Sequence, residues 1–200
     1  PAGSGKTTFF QHLIGGALRH PNLRAYIFDR FSGTRIFTEA VNGTQVDLSD
    51  ASSLFNPLVC EDTTSNRNFI QQFFLMLAKT EDSESIEIAS RAVDILFRIP
   101  TEKRILSHLF ESLFDVNSLL KKGLQKWAVE SAYSRWFNGM KVNAAGIIEA
   151  YDALDLAASR LITFEMTEIQ STPELAAAVS FYIMRRIRAH AKIEASPHLI

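Results

Sequence analysis

The first eight residues, Pro1-Ala2-Gly3-Ser4-Gly5-Lys6-Thr7-Thr8, carry the most specific chemistry in the sequence. Gly5-Lys6-Thr7 fills the last three places of the phosphate-binding pattern Gly, four residues, Gly-Lys-Ser/Thr. The pattern's first glycine falls one position before Pro1. Gly3 and Gly5 let the backbone curl so that successive N–H groups point inward at a phosphate. A helix starting there adds its positive amino end. On this reading Ala2, Gly3, Ser4, Gly5, Lys6, Thr7 and Thr8 bind nucleotide. Lys6 bridges β- and γ-phosphate oxygens and is the catalytic candidate, Thr7 coordinates Mg²⁺, and Thr8 contacts the α-phosphate side. ATP and Mg²⁺ are therefore the expected ligand and cofactor. The rival reading is a Gly/Ser-rich turn that happens to precede a helix. Against it, an amphipathic stretch and then an apolar run follow at once.

Hydrolysis also needs an acid for Mg²⁺ on a second strand and a group that positions water. Asp29 ends an apolar run, and Glu165 and Glu168 lie at or near the end of another. Ligands collect at such strand ends in α/β sheets. For all three, a solvated or salt-bridged carboxylate is the plainer reading. The acid is expected instead on a strand that Leu199-Ile200 only begins. Arg135 could stabilise γ-phosphate charge from a neighbouring subunit, but pairing with a carboxylate or stacking on Trp136 is the better reading. For Arg30 and Arg35 a solvated or ion-paired role outranks nucleotide contact. Asp152 and Asp155 are expected on one helix face, with capping before Ala153 the better reading. The histidines at 12, 20, 108, 190 and 198 show neither metal-ligand spacing nor a carboxylate partner. The lone Cys60 excludes an internal disulfide and reads as a small residue near a strand end rather than a nucleophile.

These residues need elements to hold them. Apolar residues at Phe9, Phe10, Leu13, Ile14, Ala17 and Leu18 recur with helical spacing. Residues 25–29 and 44–48 read as strands separated by an Asn42-Gly43 turn. Phe55-Asn56-Pro57-Leu58 closes this part with a proline-anchored turn. Helices are expected near 68–79, 84–97, 101–114 and 118–136, with a helical turn over 144–151. Residues 161–169 read as a strand, and a long helix runs from Glu174 to about His190. Its basic end, Arg185, Arg186, Arg188, His190 and Lys192, suits the helix dipole. The fold class is α/β: a core over 1–65, an all-helical insertion over 66–150, and a return to the core over 151–200. With 46% hydrophobic and 22% charged residues among 200, the chain is globular. A net charge of −1 does not announce nucleic acid, although DNA contact stays open. No stretch reaches roughly 18 apolar residues, so none is expected to span a membrane. Both ends read as excision boundaries within a longer polypeptide.

The joint order of PAGSGKTT, YIFDR-x-S-G-x-R-I-F, FNPL and then Thr163-Phe164-Glu165-Met166-Thr167-Glu168-Ile169 resembles the large ATPase of type IV secretion and conjugation systems, of the TrbE/CagE type. Arg135-Trp136-Phe137-Asn138-Gly139, Tyr151-Asp152-Ala153-Leu154-Asp155 and Thr172-Pro173 with its long helix follow the same order. The resemblance spans nearly the whole chain and implies a RecA-like P-loop motor domain truncated at both ends. It implies a hexamer at the cytoplasmic face of a bacterial inner membrane, working with other secretion components on pilus assembly and substrate transfer. It also implies an Asp-Glu pair on the strand beginning at His198-Leu199-Ile200. The family more often has Asp where Glu165 stands. Two alternatives remain at this level: a hexameric DNA-translocating ATPase of another system, and a nucleotide-dependent interaction module without turnover.

Overall fold

The computed structural model describes residues 5–48, 55–114, 117–129, 132–194 and 197–200. Ala2, Gly3 and Ser4, assigned to phosphate from the sequence, lie outside the described residues. Along the chain run α1 (Lys6–Ala17), β1 (Arg24–Asp29), α2 (Arg35–Ala40), β2 (Thr44–Asp47), α3 (Thr64–Ala78), α4 (Ser83–Leu96), α5 (Leu106–Leu113) and α6 (Leu119–Ala128). Then come β3 (Met140–Val142), β4 (Ile148–Ala150), β5 (Leu161–Glu165), α7 (Thr167–Gln170), α8 (Pro173–Glu194) and β6 (His198–Leu199). The chain forms two compact units, Pro1–Asp50 with Asp155–Ile200, and Ala51–Leu154.

The first unit is built on a parallel sheet in the order β2-β5-β1-β6. Every residue of β5 is buried, as a central parallel strand covered on both faces requires. On one face α2 is tied to β5 by a 2.8 Å bond between the Thr38 and Thr163 hydroxyls. On the other, His198 stacks on Tyr26 at 5.6 Å and meets the edge of His190 from α8. Glu194, also on α8, takes two bonds from Arg24 at 2.5 and 2.9 Å. His190 lies 3.4 Å from Glu194, a carboxylate neighbour that the sequence reading did not find. The buried stripe of α8 (Leu175, Ala178, Val179, Tyr182, Ile183, Ile187) has the three-and-four spacing of an amphipathic helix. The Asn42-Gly43 turn is built as expected. Asn42 is left-handed at φ 55°, and a Cβ on Gly43 would stand 2.9 Å from the Leu161 carbonyl oxygen.

The second unit packs α3, α4, α5 and α6 around Trp127, whose indole N–H donates to the Leu77 carbonyl at 3.0 Å. Phe73, Phe74, Phe114 and Phe137 fill the space beside it with edge-on ring pairs. Residues 55–65, placed in the core from sequence, belong with this unit. Asn56 explains why: it is fully buried and donates to the carbonyls of Arg104 and Gly139 at 2.9 and 3.0 Å.

Five local expectations are corrected. The strand expected over 161–169 ends at Glu165, whose carboxylate accepts from the Thr167 N–H, and Thr167–Gln170 is α7. The insertion is not all-helical, because the helical turn expected over 144–151 is part of an antiparallel hairpin, β3 with β4. Asn143 Oδ1 accepts from the N–H groups of Ala145 and Ile147, and Gly146 takes φ 78°, which closes the turn. The helix expected over 118–136 stops at Ala128, and Ser134–Trp136 is a separate 3-10 turn. The helix expected over 101–114 is broken after a 3-10 turn, because Arg104 turns its guanidinium onto the carbonyls of Ile99 and Cys60 at 2.8 and 2.9 Å. Asp152 and Asp155 lie on no helix. Each caps a turn, through the N–H of Leu154 and of Ala157 respectively.

Helices α3 and α6 meet at Gly123, where an added Cβ would fall 2.4 Å from the Ala78 carbonyl oxygen. Gly123→Ala is therefore expected to cost about 1–3 kcal/mol by overpacking, with the backbone forced to shift. Denaturant unfolding followed by Trp fluorescence reads this, and an unchanged midpoint would contradict it.

Candidate functional site

The site lies at the carboxyl edge of the parallel sheet, where α/β folds collect ligands. Asp29, Glu165 and Asp47 end β1, β5 and β2 side by side in register. Asp29 and Glu165 are buried, whereas Asp47 is exposed. A buried carboxylate is tolerated only with donors around it, and both have them.

Those donors come from the loop between β1 and α2 and, for Glu165, also from Thr167 at the start of α7. Asp29 Oδ1 accepts from the N–H of Arg30 at 2.8 Å, and Oδ2 accepts from the N–H and the hydroxyl of Thr34, both at 2.7 Å. Glu165 Oε2 accepts from the N–H of Ser32 at 2.6 Å and its hydroxyl at 2.9 Å. Glu165 Oε1 accepts from the N–H of Thr167 at 2.9 Å and from the Thr167 hydroxyl. The Thr167 hydroxyl oxygen in turn accepts from the N–H of Phe31 at 2.7 Å. Phe31 and Ser32 are consecutive left-handed residues, at φ 63° and 51°. Neither is glycine, so this conformation is costly and must be held by its surroundings. The two carboxylates hold it, filling a nest of inward-pointing N–H groups. Burial pushes the Glu165 carboxyl up, but the bonds from Thr167 and Ser32 outweigh it and hold it below its ordinary value.

Helix α1 abuts this loop. Gln11 donates to the Gly33 carbonyl at 3.0 Å. A Cβ built on Gly33 would lie 3.7 Å from Asp29 Oδ1, 3.8 Å from Thr7 Cγ2 and 3.9 Å from the Arg30 carbonyl oxygen. The first turn of α1, the end of β1 and the start of the loop thus surround one point. Gly5 precedes the helix in the left-handed region at φ 71°, with no side-chain cap. The helical ladder begins with the Phe9 N–H on the Gly5 carbonyl, so the N–H groups of Lys6, Thr7 and Thr8 have no acceptor within the helix. No acidic residue sits in this turn. The side chains of Lys6, Thr7 and Thr8 are exposed and make no hydrogen bond or ion pair with any described residue. A lysine, a threonine hydroxyl and free N–H groups at one helix end form a donor set for phosphate, and the hydroxyl suits an Mg²⁺ held by that phosphate. The apolar face of α1 is not buried: Phe9 and Phe10 are exposed and pack edge-on against each other.

The structure therefore sets Asp29 beside Glu165 and the α1 turn that carries Lys6, Thr7 and Thr8 next to Asp29 through Thr7, and gives the two carboxylates a different task from the one weighed in the sequence. Glu168 is exposed on α7. Arg135 belongs to the second unit and sits 5.8 Å from the Trp136 ring, the stacked arrangement favoured from sequence. Arg35 pairs with Glu39 at 3.0 Å. Gln11, Ser32, Gly33, Thr34 and Thr167 went unnoticed. The short polar run Ser32-Gly33-Thr34 after a strand-ending Asp was their one visible signal.

A parallel sheet with helices on both faces, and a Gly-Lys-Thr helix start beside its carboxyl edge, is the α/β arrangement of the RecA-like P-loop fold. In line with that, the chain shares the fold of VirB4 of Thermoanaerobacter pseudethanolicus, with a TM-score of 0.69 over 92% of this chain at 16% identity. It covers 52% of that chain, so it spans about half the length of the protein it matches. The fold agrees with the resemblance to the large type IV secretion ATPases read from the sequence. No protein-family model and no curated protein matches the sequence.

Glu165→Gln is expected to destabilise the protein by about 1–3 kcal/mol at neutral pH, because it weakens charge-assisted bonds to a buried group. A lowered folded-state value means that the carboxylate stabilises above the ordinary Glu range and stops doing so as pH falls through the folded value. Denaturation midpoints of the two proteins should converge in acid. A gap independent of pH would show that the charge is not what holds the loop.

Proposed function

We propose that this chain binds the phosphates of ATP at the amino end of α1 and that a longer protein containing it hydrolyses ATP. The observation that carries this reading is the uncapped first turn of α1, where Lys6, Thr7 and three N–H groups have no partner among the described residues. Lys6 neutralises charge on the β- and γ-phosphate oxygens, and the N–H groups of Lys6, Thr7 and Thr8 orient the chain of phosphates. The Thr7 hydroxyl is a ligand for Mg²⁺, which when bound offsets phosphate charge. Asp29 and Glu165 keep the neighbouring loop in place and leave proton transfer to another acid.

The fold shared with VirB4 and the residue order FDR, FNPL and FEMTEI support a role in powering type IV secretion or conjugative pilus assembly and substrate transfer. In that reading the longer protein is a hexamer that works with other secretion components at the cytoplasmic face of a bacterial inner membrane. Among the described residues no helix is long and apolar enough to cross a membrane.

Lys6→Ala in the longer protein is expected to weaken ATP binding by at least about 100-fold and to abolish Mg²⁺-dependent phosphate release. Calorimetric titration and a phosphate assay read the two. A variant that binds and turns over ATP like the unsubstituted protein would end this reading.

A further inference from the structure

Arg30 is the residue whose charge the network around it does not use. It follows Asp29 directly at the end of β1, and its guanidinium is exposed. Its guanidinium carbon lies 4.5 Å from the centroid of the Phe31 ring. Ion pairs would be the ordinary fate of such an arginine, and two carboxylates stand close by. Both are spent: Asp29 on Arg30 N–H and Thr34, Glu165 on Ser32 and Thr167. Among the described residues Arg30 makes no ion pair.

Its placement is built rather than incidental. The Arg30 N–H is fixed to Asp29, and the next two residues are held left-handed by Glu165 and Thr167. Phe31 is thereby turned outward, 71% exposed, beneath the guanidinium. Stacking orients the planar group and leaves its N–H edges free. The Arg30 backbone lies beside the first turn of α1, since its carbonyl oxygen and Thr7 Cγ2 flank the same point at Gly33. A cationic side chain starting there is long enough to reach the end of α1 where phosphate would sit, by leaving the Phe31 ring for it.

We propose that Arg30 contacts the terminal phosphate of a nucleotide bound at α1, so that the site favours a nucleoside triphosphate over a diphosphate. The proposal rests on the nucleotide reading above and deepens it. A planar guanidinium can take two oxygens of one phosphate side by side, a fork that the ammonium of Lys6 does not offer. The strained loop is a positioning device for that fork, with Glu165 and Asp29 as the positioning residues. Loop geometry, ring stacking and unspent charge then serve one purpose.

The test is calorimetric titration of the longer protein with ATP and with ADP, each with Mg²⁺, for the unsubstituted protein, Arg30→Ala, Arg30→Lys and Lys6→Ala. Arg30→Ala should lose about tenfold or more in ATP affinity and about twofold or less in ADP affinity. Arg30→Lys should recover part of the ATP loss. An equal loss for both nucleotides, or none, overturns the assignment. If Lys6→Ala abolishes binding while Arg30→Ala binds ATP like the parent, only the assignment of Arg30 falls. If the unsubstituted protein binds neither nucleotide, the nucleotide reading falls and takes this inference with it.

Discussion

Two buried carboxylates at the ends of adjacent parallel strands organise the working edge of this protein. Neither is tolerable in the interior without donors, and the donors are the N–H groups and hydroxyls of one short loop together with Thr167 at the start of α7. Meeting that demand bends Phe31 and Ser32 into a conformation they would not adopt alone. It also fixes where α2 begins, because Thr34 both bonds Asp29 and precedes the first turn of α2. The sheet ends, the loop and the start of two helices are settled by one electrostatic requirement.

The same requirement divides labour at the edge. Loop N–H groups are turned inward and consumed by the chain's own carboxylates. Those at the start of α1 are not, since Gly5 has no side chain to cap them. The buried carboxylates have their oxygens satisfied by hydrogen bonds, and among the described residues Lys6 and Arg30 have no ion-pair partner. The arrangement is a site for a polyanion assembled by satisfying some groups and sparing others.

Much of this was legible in the sequence, and the failures have physical causes. Helix α1, strands β1 and β2 and the long α8 followed from periodicity and turn residues. Residues 161–169 were read as one strand because Phe164 to Ile169 keeps apolar residues at intervals. The strand stops at Glu165, whose side chain draws the Thr167 N–H inward and starts α7 instead. The helical turn expected over 144–151 is instead part of a hairpin, because the Asn143 side chain and the left-handed Gly146 close a turn between β3 and β4. The Lys6-Thr7 site could be found from local letters. The Glu165–Ser32 bond could not, because it joins residues 133 apart in the chain.

The central claim is that loop 30–34 is held by Asp29 and Glu165 while the first turn of α1 is kept open for phosphate. Hydrogen exchange of the longer protein, with and without Mg²⁺ and ATP, addresses both halves at once. The amides of Arg30, Ser32 and Thr34 should be protected without nucleotide, and those of Lys6, Thr7 and Thr8 only with it. Free exchange at Ser32 in the absence of nucleotide, or no added protection at Lys6 to Thr8 in its presence, would contradict the account.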